Sequence, residues 1–174
     1  MKRPPLIIAG VGLSVLALPT ATSRGPALVW NASPSVPIGL YRVVARPPPC
    51  GALAVIRLAD PFRTLAGVRG YVLASVPIIK PIAAFDGDTV CRHGEVVTIN
   101  GRIVALARNR DAAGRPLPHW RGCRRMDSTA VFVISKRPDS FDSRYFGPVD
   151  RSQVIGLAIP LWTMVASPHP RPRC

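Results

Sequence analysis

LVWNASPSVPIGLYRVVA, residues 28–45, reads as a strand, a sharp turn and a second strand. The apolar arms Leu28–Trp30 and Leu40–Val44 carry valines, an aromatic and a tyrosine, which suit a pleated, half-buried surface. Between them Pro34 and Pro37 fix the backbone and remove two donors, so no helix continues through the segment. Serine beside proline marks a turn in most proteins, and Ser33 and Ser35 stand in that setting.

The same signals recur along the chain. GALAVIRLA, residues 51–59, is a short apolar strand after the break at Pro47-Pro48-Pro49-Cys50. YVLASVPIIKPIAAFDGDTV is read as a buried strand broken by Pro77 and Pro81, closed by a turn at Asp86 to Asp88. EVVTINGRIVALA is a hairpin around Asn100-Gly101, a favoured two-residue turn pair. Residues Arg108 to Arg125 are polar, basic and turn-rich, and are read as an insertion or cap. AVFVISKRPDSFDSRYFGPV is a strand and a tightly specified loop, and VIGLAIPLW is the last strand. With 20 prolines in 174 residues, long helices are not expected after the first segment. The fold class is mostly β, in one compact domain. No Walker-type or dinucleotide-binding glycine loop is present.

The first segment is different. Lys2 and Arg3 precede an apolar run from Leu6 to Leu18, and the whole is read as a membrane anchor over residues 1–24. A cleaved secretory signal is the rival reading, with Ala21-Thr22-Ser23 as a small-residue site; a buried helix is the third. The first two place residues 25–174 outside the inner (cytoplasmic) membrane, in the periplasm, with lipid as a contact and Trp30 at the interface. Four cysteines fit an oxidising compartment, and Cys91–Cys123, which flank a loop-rich section, are the favoured disulfide. No metal is expected, because Cys91 and His93 are too close in sequence for an ordinary structural zinc site. No cofactor is expected either. The net charge of +14 leaves nucleic acid, anionic lipid or an acidic protein open as partners. The basic loop 108–125 holds one aromatic, Trp120, which makes direct nucleic-acid binding a poor reading.

Two side chains stand out chemically. Lys80 lies within SVPIIKPIAAF, the least polar part of the chain beyond the first segment. A lysine held in apolar surroundings loses preference for its charged form and can act as a base near neutral pH. A serine hydroxyl needs such a base. The three histidines, His93, His119 and His169, lie in turns, a basic loop and a proline-rich tail, away from any apolar strand with an aspartate. A Ser-Lys pair is an established variant of the serine triad.

At this point NASPSVPIGLY, IIKPIAAFDGDTV and SFDSRYFGPV, in that order, resemble the type I signal peptidases, most closely the conjugative-transfer TraF-type branch that processes pilin precursors. The resemblance spans most of the chain. It implies a β-rich, signal-peptidase-like catalytic domain beside a membrane, with Ser35 as nucleophile and Lys80 as general base. Ser33 would join the Ser35 N–H in the oxyanion hole, Ser140 would orient the lysine, and Asp142 with Arg144 would brace the loop. The implied partner is a precursor protein, with conjugative channel proteins beside it, and the product is either a cleaved or a cyclised pilin. Val36 and Ile38 would line pockets for small side chains. The chain departs from the general pattern at Pro37, at Pro81 after the lysine, at Asp86-Gly87-Asp88, and at Ser135-Lys136-Arg137 before the last block. These departures suit a dedicated enzyme with few substrates. The competing class is a basic β-rich binding or assembly module of a secretion channel.

Overall fold

The computed structural model describes residues 26–164. The expected anchor or signal segment, residues 1–24, lies outside them, as does the tail after residue 164. Among the described residues no helix is long and apolar enough to cross a membrane.

Eleven strands and two short α-helices follow in order: β1 (Leu28–Asn31), β2 (Gly39–Val44), β3 (Leu53–Ile56), α1 (Phe62–Val68), β4 (Ile78–Ala84), β5 (Thr89–His93), β6 (Val96–Ile99), β7 (Arg102–Leu106), β8 (Gly122–Arg125), β9 (Ala130–Val133), α2 (Ser143–Phe146), β10 (Val149–Asp150) and β11 (Val154–Thr163). They form a seven-stranded sheet, β1-β2-β11-β3-β4-β9-β10, and a four-stranded sheet, β7-β6-β5-β8. Every strand pairing is antiparallel.

The large sheet is buried on both faces at its centre, which is why β3 reads as an unbroken apolar run. Leu53 and Val55 pack with Val29, Val36, Tyr41 and Ile79, whereas Ala54 and Ile56 pack with Ile82, Val131, Val133 and Phe146 on the other side. The small sheet contributes Val90, Val97 and Ile99 to a third cluster with Ala84, Trp120, Phe132 and Tyr145.

Most sequence expectations of element type hold, with three corrections. Pro81 does not break its strand: β4 runs through it, in register with Leu53 near the start of β3. Its carbonyl accepts from the Ile134 N–H (3.2 Å) while Ile82 resumes pairing with Ala52 (2.9 Å). A proline is tolerated there because the pairing of β4 with β9 is irregular just beyond it, between Ile82 and Ala84. The basic loop 108–125 does not stay irregular to its end, since Gly122–Arg125 form β8 against β5. The strand read from Tyr71 begins only at Ile78, after Pro77. Trp162 is 55% exposed and stacked on Trp30 (49% exposed), with ring centroids 5.9 Å apart. Trp120 is buried, edge-on to Phe132.

The turns follow their residues. Asn100 (φ 50°) and Gly101 (φ 78°) adopt the left-handed pair that a tight hairpin requires. Asp88 takes the Phe85 N–H (3.1 Å) and the Asn100 side-chain amide (2.7 Å), so it serves the turn as expected. Cys91 and Cys123 face each other across β5 and β8 and are joined by a disulfide. His93 Nε2 lies 3.7 Å from Cys123 Sγ, but both sulfurs are committed to one another and are no longer thiolate ligands.

Candidate active site

The loop between β1 and β2 carries Ser33 and Ser35. With two prolines in seven residues it has few donors of its own, so its carbonyls need partners from outside. Asn31 supplies most of them. Its buried side-chain amide donates to the carbonyls of Ser33 (2.8 Å), Val36 (3.1 Å) and Pro37 (3.0 Å). Its Oδ1 accepts from the Ser33 N–H (3.3 Å) and the Ser33 hydroxyl (3.2 Å). Tyr41, fully buried, donates its hydroxyl to the Pro37 carbonyl at 2.6 Å, and burial pushes its phenol up to about 12. Gly39 closes the loop where β2 meets β11: a Cβ there would stand 2.1 Å from the Trp162 carbonyl oxygen. The result is a rigid loop with Ser33 Oγ 2.9 Å from Ser35 Oγ, both partly open to solvent.

Asn31→Ala is expected to destabilise the fold by about 2 kcal/mol, because loop carbonyls lose their donors. A denaturant titration measures it. An unchanged midpoint would mean that Tyr41 and the prolines hold the loop unaided.

Lys80 lies on β4 opposite Ala54 and is only 5% exposed. Its Nζ donates to Ser140 Oγ at 2.8 Å. Burial lowers its pKa from 10.5 to about 8, opposed by the nearby Asp142 carboxylate and assisted by the Arg144 guanidinium. A lysine so placed holds a usable fraction of free amine at mildly alkaline pH.

Ser140 sits in the segment between β9 and α2, and that segment is held by Asp142 and Arg144. The two are 0% and 2% exposed. Arg144 grips Asp142 with two bonds, Nε to Oδ1 (2.8 Å) and Nη2 to Oδ2 (3.1 Å). Asp142 also caps α2, accepting from the Arg144 N–H (3.2 Å), and takes the Ser135 N–H on Oδ2 (2.9 Å). Arg144 Nη2 reaches the Ser135 carbonyl (2.6 Å). Arg144 Nη1 donates to the carbonyls of Pro138 (3.3 Å) and Leu106 (3.4 Å), so every side-chain oxygen and nitrogen of the pair is occupied, as a buried ion pair demands.

The fold thus brings the expected residues into two local groups. Ser33 and Ser35 share one loop; Lys80, Ser140, Asp142 and Arg144 share one wall. Ser35 Oγ pairs with Ser33 Oγ, and Lys80 Nζ with Ser140 Oγ, so neither of these bonds joins Ser35 to Lys80. The two groups are joined through Val36 and Ile79, which share one core cluster, and through Ser135, whose hydroxyl donates to the Ser35 carbonyl at 2.5 Å. Asn31, Tyr41 and Ser135 were not singled out as site residues from the sequence; an asparagine at the mouth of a proline-rich turn was the available signal for the first. Arg92 was missed as well: it is 2% exposed and donates to the Arg144 carbonyl at 2.7 Å, supporting α2 from beneath.

The domain is β-rich and holds a buried amine, Lys80, on Ser140, with a two-serine turn tied to the same segment through Ser135. Residues 5–162 match the family model described as signal peptidase, peptidase S26, and the chain belongs to that family. It is similar to its TraF-type members. It is 32% identical to the conjugal transfer protein TraF of Agrobacterium tumefaciens over 174 residues, covering 93% of this chain and 97% of the relative. It is 38% identical to the "Probable conjugal transfer protein TraF" of Sinorhizobium fredii over 143 residues, 74% of this chain and 73% of that one. Against a plasmid transfer protein TraF of Escherichia coli the figures are 30% over 173 residues, 91% and 93%. Among solved structures a signal peptidase I from Enterococcus faecalis aligns at 19% identity with a TM-score of 0.35, covering 66% of this chain and 98% of the other.

Proposed function

We propose that this protein is a membrane-bound serine endopeptidase that removes leader sequences from exported precursors by a Ser35–Lys80 dyad, with a conjugative pilin as its substrate. The observation that carries the reading is Lys80: a buried amine with a lowered pKa, held by Ser140, on the wall tied to the Ser35 loop.

In this mechanism neutral Lys80 takes the proton from Ser35 Oγ as that oxygen attacks the scissile carbonyl. Catalysis requires Lys80 Nζ to come within hydrogen-bond reach of Ser35 Oγ, a contact that substrate binding tightens. The Ser35 N–H and the Ser33 hydroxyl donate to the oxyanion, each such donor being worth about 3 kcal/mol. Lys80 then gives its proton to the leaving amine, and the bond from carbonyl carbon to nitrogen breaks. Water, deprotonated by Lys80, attacks the acyl carbon; its bond to Ser35 Oγ breaks, and Lys80 returns the proton to that oxygen. If the substrate's own amino end replaces water, a cyclic product results.

The names of the similar TraF proteins support a place in conjugal transfer, with channel proteins as neighbours. The proposed location is the inner membrane, with residues 1–24 as anchor and the domain from residue 25 onward in the periplasm. Three observations support it. The Cys91–Cys123 disulfide suits an oxidising compartment. Trp30 and Trp162 are exposed and stacked on one another, aromatics of the kind that seat at a bilayer interface, and Leu28, Leu161 and Met164 are exposed as well. Trp30 also leads directly into the Ser35 loop, which suits a scissile bond close to the membrane surface. The alternative of a nucleic-acid-binding module is weakened by Trp120, whose indole is buried and so offers no stacking face beside the basic loop.

The test incubates the full chain in detergent with a candidate pilin precursor and follows product mass. Ser35→Ala and Lys80→Ala are expected to fold and to leave the precursor intact. Cleavage at the wild-type rate by both variants would overturn the dyad. Product mass also separates hydrolysis from ring closure, which differ by one water.

A further inference from the structure

Ser135 links the Ser35 loop to the Asp142–Arg144 pair, its hydroxyl meeting the loop and its backbone meeting the pair. It lies 100 positions from Ser35 in the chain and is 1% exposed. All of its polar groups are engaged. The N–H donates to Asp142 Oδ2 (2.9 Å), the carbonyl accepts from Arg144 Nη2 (2.6 Å), and the hydroxyl accepts from the Arg137 N–H (3.2 Å). That leaves the hydroxyl one proton to donate, and it goes to the Ser35 carbonyl oxygen at 2.5 Å.

We infer that Ser135 is a positioning residue for Ser35: it transmits the rigidity of the buried Asp142–Arg144 pair to the peptide plane that follows Ser35, and so fixes the backbone from which the Ser35 side chain projects. The inference rests on Ser35 being the nucleophile. Its physical basis is simple. The peptide after Ser35 can rotate about the Cα–C bond unless its carbonyl is held. Asn31 holds the carbonyls on either side of this one, those of Ser33, Val36 and Pro37, but not that of Ser35. The Ser135 hydroxyl fills the gap. It draws its own orientation from a residue pair whose donors and acceptors are saturated, so the anchor does not drift. The bracing role expected for Asp142 and Arg144 thereby gains a route: it reaches Ser35 through Ser135, while the same segment carries Ser140 to Lys80. One short stretch, residues 135–144, would then align both members of the dyad.

A positioning role predicts a specific kinetic pattern. Loss of the Ser135 hydroxyl lets the Ser35 backbone shift, and displacement of the reacting oxygen by about 1 Å costs about 100-fold in rate. The substrate's remote contacts are untouched, so KM stays near the wild-type value. Lys80 keeps its bond to Ser140, so the apparent pKa of the rate profile stays in place.

The experiment uses the full chain in detergent and an internally quenched peptide spanning the cleavage junction of a pilin precursor. Ser135→Ala, Ser135→Thr and Ser35→Ala are compared with wild type for kcat, KM and pH dependence. Expected are a roughly 100-fold fall in kcat for Ser135→Ala with KM and pH profile unchanged, and recovery to within about 5-fold for Ser135→Thr, which restores the hydroxyl. If Ser135→Ala does not fold, Ser135→Cys replaces it; its weaker donor is expected to lower kcat by about 10-fold or more with KM unchanged. Wild-type kcat in Ser135→Ala or Ser135→Cys, alongside an inactive Ser35→Ala, overturns the positioning role and leaves the dyad standing. A shift in KM or in the pH profile instead of kcat also overturns it. Activity in Ser35→Ala overturns the dyad itself, a distinct outcome.

Discussion

Lys80→Met is expected to give a protein that cleaves nothing yet is more stable than wild type near neutral pH. The lysine is 5% exposed and its pKa is lowered to about 8, chiefly by burial. Below about pH 8 the amine is protonated in both the folded and the unfolded chain, so the folded state carries the whole cost of burying a charge. Between about 8 and 10.5 the unfolded chain still binds a proton that the folded chain has released, and stability rises with pH. Above 10.5 both are neutral and the cost is gone. The full difference corresponds to about 3 kcal/mol at pH 7. Methionine fills nearly the same space without a charge, so Lys80→Met should recover up to about that amount, less what Ser140 loses as a partner. The gain should shrink as pH is raised from 8 towards 10.5. Chemical denaturation at pH 7 and at pH 10 measures both points. A destabilised variant at pH 7, or a gain independent of pH, would show that the amine is hydrated in the folded protein. The wild-type rate should rise with pH through an apparent pKa near 8, because the base must be neutral to act. A rate that falls over that range would rule out lysine as the base.

Asp142→Ala is expected to be the most damaging single change to the fold. It leaves the Arg144 guanidinium buried beside Lys80 with no carboxylate, and strips acceptors from the Ser135 and Arg144 N–H groups. Breaking a buried pair in this way costs roughly 3–5 kcal/mol. For a domain of this size that is a fall in Tm on the order of 10 °C. The loss of a negative charge near Lys80 should also lower the apparent pKa of the rate profile, since Asp142 is the group that chiefly supports the protonated amine. Removing both partners, as Asp142→Leu with Arg144→Met, should recover part of the stability and none of the activity. The double-mutant cycle gives the coupling energy directly. A loss below about 1 kcal/mol for Asp142→Ala would show that the pair behaves like an exposed one.

Much of this protein is legible from its sequence, and the reason is local. Strand and turn signals need only a few neighbouring residues: the Asn100-Gly101 hairpin, the all-apolar run of β3 and the proline-punctuated turn after Trp30 all formed as their residues indicate. Family membership was legible too, since three blocks with specific residues at specific places identify it. The errors arose where a local rule met a distant partner. Pro81 looks like a strand breaker until β3 and β9 supply the pairing around it. Residues 122–125 look like loop until β5 lies beside them.

The sequence by itself determined the β-rich class and the family, and it pointed to Ser33, Ser35, Lys80, Ser140, Asp142 and Arg144 as the proposed site. Only the tertiary structure decided how those side chains are held. Lys80 becomes a weak base because strands from three separate parts of the chain exclude water around it, and no window of sequence contains that burial. Ser135 meets Ser35 across 100 positions of the chain, a contact that no window of sequence contains. Trp162 joins Trp30 at the surface only because β11 returns alongside β2. Solvent exclusion and hydrogen-bond partners are properties of what surrounds a residue in space, and the chain order does not state them.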